Sequence, residues 1–147
     1  MTTAYSAQTD QTTTTDALKN GVIAGLAGGL IFGMMMAIMG MLPMIGMLIG
    51  QESSFVGFIV HMGISAVFGG AFGLVAARLF SGWTQTLIAG AIYGVIVWVV
   101  GALVMMPLML GMNEMVLQIG QAQWMSLIGH IIFGLIIGGV FVWLNQR

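Results

Sequence analysis

The sequence lacks cysteine entirely, and only 5% of its 147 residues are charged. The absence of cysteine excludes disulfide bonds, thiolate metal sites and a cysteine nucleophile. Ordinary soluble domains carry about 25% charged residues, and a chain of this length cannot cover an apolar core with so few. Three basic residues in total also provide no positively charged surface for a nucleic acid. These shortages exclude a soluble globular protein and make nucleic acid an unsuitable partner.

Long apolar segments make up most of the chain. Hydrophobic residues account for 59% of it, and the mean hydropathy is +1.08. The few charged residues divide the chain into four long uncharged runs, 20–51, 53–77, 79–113 and 115–146. Each run exceeds the roughly 20 residues that a helix needs to cross the hydrocarbon of a bilayer. We therefore predict an all-α integral membrane protein, with a flexible polar tail at residues 1–19 and a four-helix membrane domain at residues 20–147. The four spans are expected at about 21–49, 54–78, 84–111 and 122–144.

The basic residues predict how the chain is oriented. Lys19 precedes the first span, Arg78 lies between the second and third, and Arg147 ends the chain. In a bundle of four antiparallel helices, all three fall on the same side. Because basic flanks stay on the cytoplasmic side, both termini are expected to be cytoplasmic. In layout the chain resembles the many small four-helix proteins of bacterial inner membranes, which we expect to be its location.

The two halves of the membrane domain match each other in order. An H-x7-G-G pattern begins at His61 and again at His130, and a proline precedes each pattern, at Pro43 and Pro107. Each half contains two spans, so we predict two tandem helical hairpins that form a parallel internal repeat about an axis along the membrane normal. The repeats are expected to cover about 21–80 and about 84–147.

Small residues recur at every fourth position in the predicted spans. The first span has Gly21, Gly25, Gly29 and Gly33 at this spacing. Close backbone contact at small residues favours helix association in lipid, so the spacing predicts a compact bundle with close helix crossings. Neighbouring stripes of small residues could also serve association with other copies of the chain.

The two histidines are the main candidates for a cofactor site. His61 and His130 each occupy a position in a small-residue stripe, so both imidazoles are expected to face protein rather than lipid. At equal depth on symmetry-related helices, they could ligate the iron of one haem b from both sides. The alternative is that each histidine bridges two helices through a hydrogen bond to a serine or a backbone carbonyl.

Fifteen methionines indicate a second cofactor hypothesis. Thioether sulfur is a soft ligand that suits Cu(I), and imidazole also binds this ion. Methionine is equally a flexible filler of apolar gaps beside glycine, so a packing role is the alternative. The candidate metal ligands are His61, His130, Met41, Met47, Met105 and Met112.

Enzyme motifs do not occur in this sequence. The glycines follow helical spacing rather than a strand–loop–helix context, and no aspartate beyond Asp16 could complete a Ser/His/Asp set. We therefore expect a non-enzymatic structural or accessory subunit of a larger respiratory or photosynthetic membrane assembly. Its expected partners are the lipid bilayer and other membrane subunits or copies of itself. A haem- or copper-binding protein that uses His61 and His130 is the alternative, and a small transporter comes third.

Overall fold

A computed structural model describes residues 13–147 of the chain. Within these residues the chain is all-helical, without strands, and four helices are long and apolar enough to cross a membrane. This confirms the prediction of an all-α chain with four candidate membrane spans. The helices are α1 (Thr14–Ile38), the short α2 (Leu42–Gly46), α3 (Ser54–Leu79), α4 (Trp83–Met109) and α5 (Gln121–Asn145).

Helix α1 begins earlier than the composition predicts. The side-chain oxygen of Thr13 accepts a hydrogen bond of 3.1 Å from the backbone N–H of Asp16 and so caps the helix. The prediction of a flexible tail at residues 1–19 is therefore wrong for residues 14–19, which form the first turns of α1. The remainder of that predicted tail, residues 1–12, lies outside the described residues.

Helix α1 also ends earlier than expected, at Ile38 rather than near residue 49. The chain turns at Gly40, whose φ of +67° is in the left-handed region that glycine adopts without strain. Pro43 then occupies the first turn of α2, where its missing N–H costs no helical hydrogen bond. The first span therefore does not extend through its proline as one continuous helix.

Helix α4 accommodates its proline differently. Residues Trp98–Met105 form a π-helical segment that ends two residues before Pro107. A proline inside a helix leaves the carbonyl four residues earlier without its usual donor, which here is the carbonyl of Leu103. The backbone N–H of Leu117 donates to this carbonyl over 3.0 Å. The loop that follows α4 therefore folds back and satisfies the hydrogen bond that the proline removes.

Glycines form the helix crossings within each hairpin. A Cβ added at Gly69 of α3 would lie 2.4 Å from the carbonyl oxygen of Gly21 of α1, and one at Gly134 of α5 would lie 2.0 Å from the carbonyl oxygen of Gly90 of α4. The backbones thus touch directly, as small residues allow in membrane helices. Helix α1 also packs extensively against α5, whereas α3 lies largely apart from α4.

Polar side chains join the helices at the end of the bundle where α1 begins. The side-chain amide of Asn20 donates to the amide oxygen of Asn145 over 3.0 Å. The indole N–H of Trp83 donates to the amide oxygen of Gln146 over 2.7 Å. Arg147 lies 3.5 Å above the ring of Trp143, in a cation–π contact. The start of α1, the start of α4 and the end of α5 therefore meet at one end of the bundle.

The glycine crossings predict a difference between two glycines of α3. Gly69→Ala is expected to lower the free energy of unfolding by about 1–3 kcal/mol, because the new methyl group must push α1 away. Gly63→Ala is the matched control, since an added Cβ there meets nothing within 4 Å. The control should leave the free energy of unfolding unchanged or raise it slightly through better helix propensity. Reversible unfolding in mixed detergent micelles measures both values, and equal losses in the two variants would contradict the crossing.

Candidate functional site

His61 and His130 border the same cavity, which lies between the two hairpins at the end of the bundle that holds α2. Its volume is about 120 Å³, and all five helices contribute side chains to its lining. His61 is on α3 and only 7% exposed, and His130 is on α5 and partly buried. The fold therefore brings together the two histidines that the sequence marks as candidates.

His61 is held in place by a hydrogen bond to the neighbouring helix. Its Nε2 lies 3.0 Å from the carbonyl oxygen of Gly29 on α1. Because a carbonyl oxygen can only accept, Nε2 carries the hydrogen and Nδ1 of the neutral ring keeps its lone pair. A Cβ at Gly29 would lie 2.5 Å from the Ser65 side chain on α3, so the absence of a side chain at Gly29 permits this close approach.

His130 is held by its own helix and in the opposite tautomer. Its Nδ1 lies 2.8 Å from the carbonyl oxygen of Ser126, one turn earlier on α5. The same reasoning places the hydrogen on Nδ1 and the lone pair on Nε2. The helix-bridging interpretation therefore fits His61, which links α3 to α1, but not His130, whose hydrogen bonds stay within α5.

The remaining nitrogen of each ring has no hydrogen-bond partner among the described residues. These nitrogens are Nδ1 of His61 and Nε2 of His130. Among the described residues, every fully buried side-chain nitrogen or oxygen has a hydrogen-bond partner. Because these two nitrogens have no partner, neither is fully buried. Both belong to rings that line the cavity. Each can accept a hydrogen bond or coordinate a metal ion.

One aromatic ring contacts both histidines. The ring centroid of Phe32 lies 5.4 Å from that of His61 and 4.8 Å from that of His130, with edge-to-face geometry in both pairs. Gly129 makes room for this ring, because a Cβ there would lie 2.2 Å from Cε2 of Phe32. Pockets for drug-sized ligands measure about 300–1,000 Å³, so haem b does not fit a cavity of about 120 Å³ that contains this ring at its wall.

The methionines of the predicted metal site separate into two groups. Met41 lines the cavity with the two histidines. Met47, Met105 and Met112 do not line it, and their side chains are 46%, 49% and 40% exposed. The structure therefore brings together three of the six candidate ligands.

Three further methionines line the cavity, and they are not among the predicted metal ligands. They are Met36 of α1, Met39 after the end of α1, and Met106 of α4. Alignment of the two halves pairs Met41 with Met105, one position short of Met106. A π-helical turn holds more residues than an α-helical turn, so the segment before Met106 changes which side chain faces the cavity. Met36 lies one helical turn after Phe32, so both side chains are on the face of α1 that borders the cavity.

A second, larger cavity opens at the other end of the bundle. Its volume is about 610 Å³, and Arg78, Ser81, Asn145 and Gln146 are among the side chains around it. Phe141, which borders this cavity, packs against Phe72, and Phe72 packs against Tyr93, with ring centroids 5.9 Å and 5.3 Å apart. The hydroxyl of Tyr93 donates to the carbonyl oxygen of Phe68 over 2.7 Å, which satisfies this polar group inside the bundle. Packed aromatic rings therefore extend from the wall of the larger cavity into the bundle.

Comparisons with known proteins identify no relative of the chain. No protein family model, no curated protein and no solved structure matches the chain. The chemistry of the cavity is therefore inferred from the residues that line it.

The hydrogen bonds predict opposite tautomers for the two imidazoles. In ¹⁵N-histidine-labelled protein, one-bond N–H couplings should appear at Nε2 of His61 and at Nδ1 of His130, because each of these atoms donates to a carbonyl. A His130→Gln variant leaves one histidine and assigns the signals. Detection of the same tautomer at both positions would contradict the geometry.

Proposed function

We propose that this chain is a non-enzymatic integral membrane protein that binds a small ligand in the cavity bordered by His61 and His130. The observation that carries the proposal is the hydrogen bonding of the two imidazole rings. Each donates one N–H to a backbone carbonyl and keeps its other nitrogen without a partner among the described residues. Histidines that bind metals usually anchor their second nitrogen in this way. Each anchored ring therefore leaves one nitrogen that can bind a ligand.

The π-helical segment of α4 supports the same proposal. Such segments are rare, and they occur frequently at functional sites. Gly101 and Ala102, both in this segment, line the cavity together with Met106, which follows it. The irregular part of α4 is thus the part that borders the proposed ligand.

We also propose that the two tandem hairpins, at about 21–80 and about 84–147, have a common origin. In both hairpins the two helices cross at glycines, such as Gly25 with Gly69 and Gly90 with Gly134. The second helix of each hairpin carries the histidine that borders the cavity. These shared features support a parallel internal repeat.

We also propose that both termini are cytoplasmic, in a bacterial inner membrane. Lys19 lies beside Asn20, which is bonded to Asn145, and Arg78 borders the same cavity as Asn145 and Gln146. The basic residues therefore concentrate at one end of the bundle, and basic flanks stay on the cytoplasmic side.

The role of an accessory subunit in a larger respiratory or photosynthetic assembly stays a prediction from the sequence. The glycines that could have served association with other helices mostly face helices of the same chain. A binding protein of this size could still act within such an assembly. The proposed binding of a small ligand therefore does not depend on whether other subunits or further copies surround the bundle.

Single cysteines test the proposed orientation, because the natural chain contains none. In intact cells, an impermeant maleimide should label Glu52→Cys and Gln118→Cys, which lie in loops at the end that holds α2. It should label Ser81→Cys, at the opposite end, only after the membrane is permeabilised. The cysteine-free parent is the control, and the reverse labelling pattern would overturn the orientation.

Ligand binding is tested on the full chain in mild detergent with Cu(I), Zn(II) and Ni(II) as probes. At about 100 times its Kd, a ligand stabilises the folded state by about 2.7 kcal/mol, so at least one probe should raise Tm by several degrees. The double variant His61→Gln/His130→Gln should lose this rise, whereas Gln118→Ala, in an exposed loop, should keep it. The absence of a rise with every probe, or an equal rise in the double variant, would overturn the proposal.

A further inference from the structure

We infer that the ligand of this cavity is a single Cu(I) ion, bound by the imidazoles of His61 and His130 together with methionine thioethers. The inference rests on the proposed function and specifies its ligand. Of the four methionines that the sequence predicts as ligands, only Met41 is retained, because the inferred donors are those that line the cavity.

The donor set favours a soft ion. Within the described residues, no cluster of three or more His, Cys, Asp or Glu side chains could hold a metal ion. Beyond the two imidazoles, the coordinating atoms in the cavity wall are mainly the sulfurs of Met36, Met39, Met41 and Met106. Thioethers are soft ligands that suit Cu(I), whereas Mg²⁺, Ca²⁺ and Mn²⁺ prefer oxygen ligands.

The charge of the ion matters as much as its softness. All six candidate donors are neutral in the form that binds a metal, so the complex carries the whole charge of the ion. The Born cost of a charge in a medium of low dielectric constant rises with the square of that charge. A monovalent ion therefore costs far less than Zn²⁺ or Cu²⁺ in a cavity between membrane helices.

The size of the cavity agrees with an ion. A volume of about 120 Å³ exceeds the roughly 10–15 Å³ that a cavity needs in order to hold one water molecule. It is too small for a haem, and it leaves room for flexible side chains to move. Methionine has three rotatable bonds, so the sulfurs can move onto an ion that the imidazoles bind.

The methionines provide a matched test of the inference. One variant replaces the four that line the cavity, in the form Met36→Leu, Met39→Leu, Met41→Leu and Met106→Leu. The control variant replaces three that do not line it, in the form Met47→Leu, Met105→Leu and Met112→Leu. Leucine has nearly the same volume as methionine, so both variants should fold. Circular dichroism and Tm without metal verify this.

Cu(I) affinity is measured without oxygen, by competition with the chelator bicinchoninate under reducing conditions. The lining variant should bind Cu(I) at least about tenfold more weakly, a loss of about 1.4 kcal/mol or more. The control variant should match the natural chain within about twofold. X-ray absorption at the copper edge should show sulfur neighbours in the natural chain and in the control variant, but not in the lining variant.

The outcomes separate the inference from the proposed function. If Cu(I) binds equally to both methionine variants, or without sulfur neighbours, the inference is overturned. If Zn(II) or another probe binds in a histidine-dependent way and Cu(I) does not, the inference fails while the proposed binding function stands. If no probe stabilises the protein, both fail.

Discussion

Direct contact between helix backbones at glycine is the constraint on which the rest of the structure depends. In lipid, burial of leucine between helices gains little, because the surrounding hydrocarbon is equally apolar. The energy comes instead from close packing where side chains are absent, as at Gly25 against Gly69 and at Gly90 against Gly134. The same closeness positions the candidate site. His61 reaches the carbonyl of Gly29 only because α3 approaches α1 without an intervening side chain. Packing and site geometry thus share one cause.

The cavity exists where regular helix geometry ends. On one side, α1 stops at Ile38 and the chain turns at Gly40 before α2 begins. On the other side, α4 passes through a π-helical segment before Pro107. The turn at Gly40 and the π-helical segment of α4 therefore border the site, and each lies within a few residues of a proline, Pro43 or Pro107.

The sequence predicted the parts of the structure that depend on composition and period. Four apolar runs gave the four candidate spans, and the four-residue spacing of glycine gave the helix crossings. Placement of His61 and His130 in small-residue stripes correctly indicated that both border protein. The sequence could not predict that Met106 rather than Met105 lines the cavity, since that depends on a local change of helical register. It also could not distinguish a helix end from a kink at Pro43, because a proline permits both.

The two histidines differ in what holds them, and this difference bears on how a ligand would enter or leave. His61 is fixed by a bond between two helices, so any movement of α3 relative to α1 must change its orientation. His130 is fixed by a bond within α5, so it keeps its orientation when helices move. Helix α3 lies largely apart from α4 but packs extensively against α1 and α2. A ligand held by both rings therefore joins a donor fixed on one helix to a donor that depends on a helix crossing. Movement of α3 that releases a ligand from His61 would therefore also break the glycine crossing between α3 and α1.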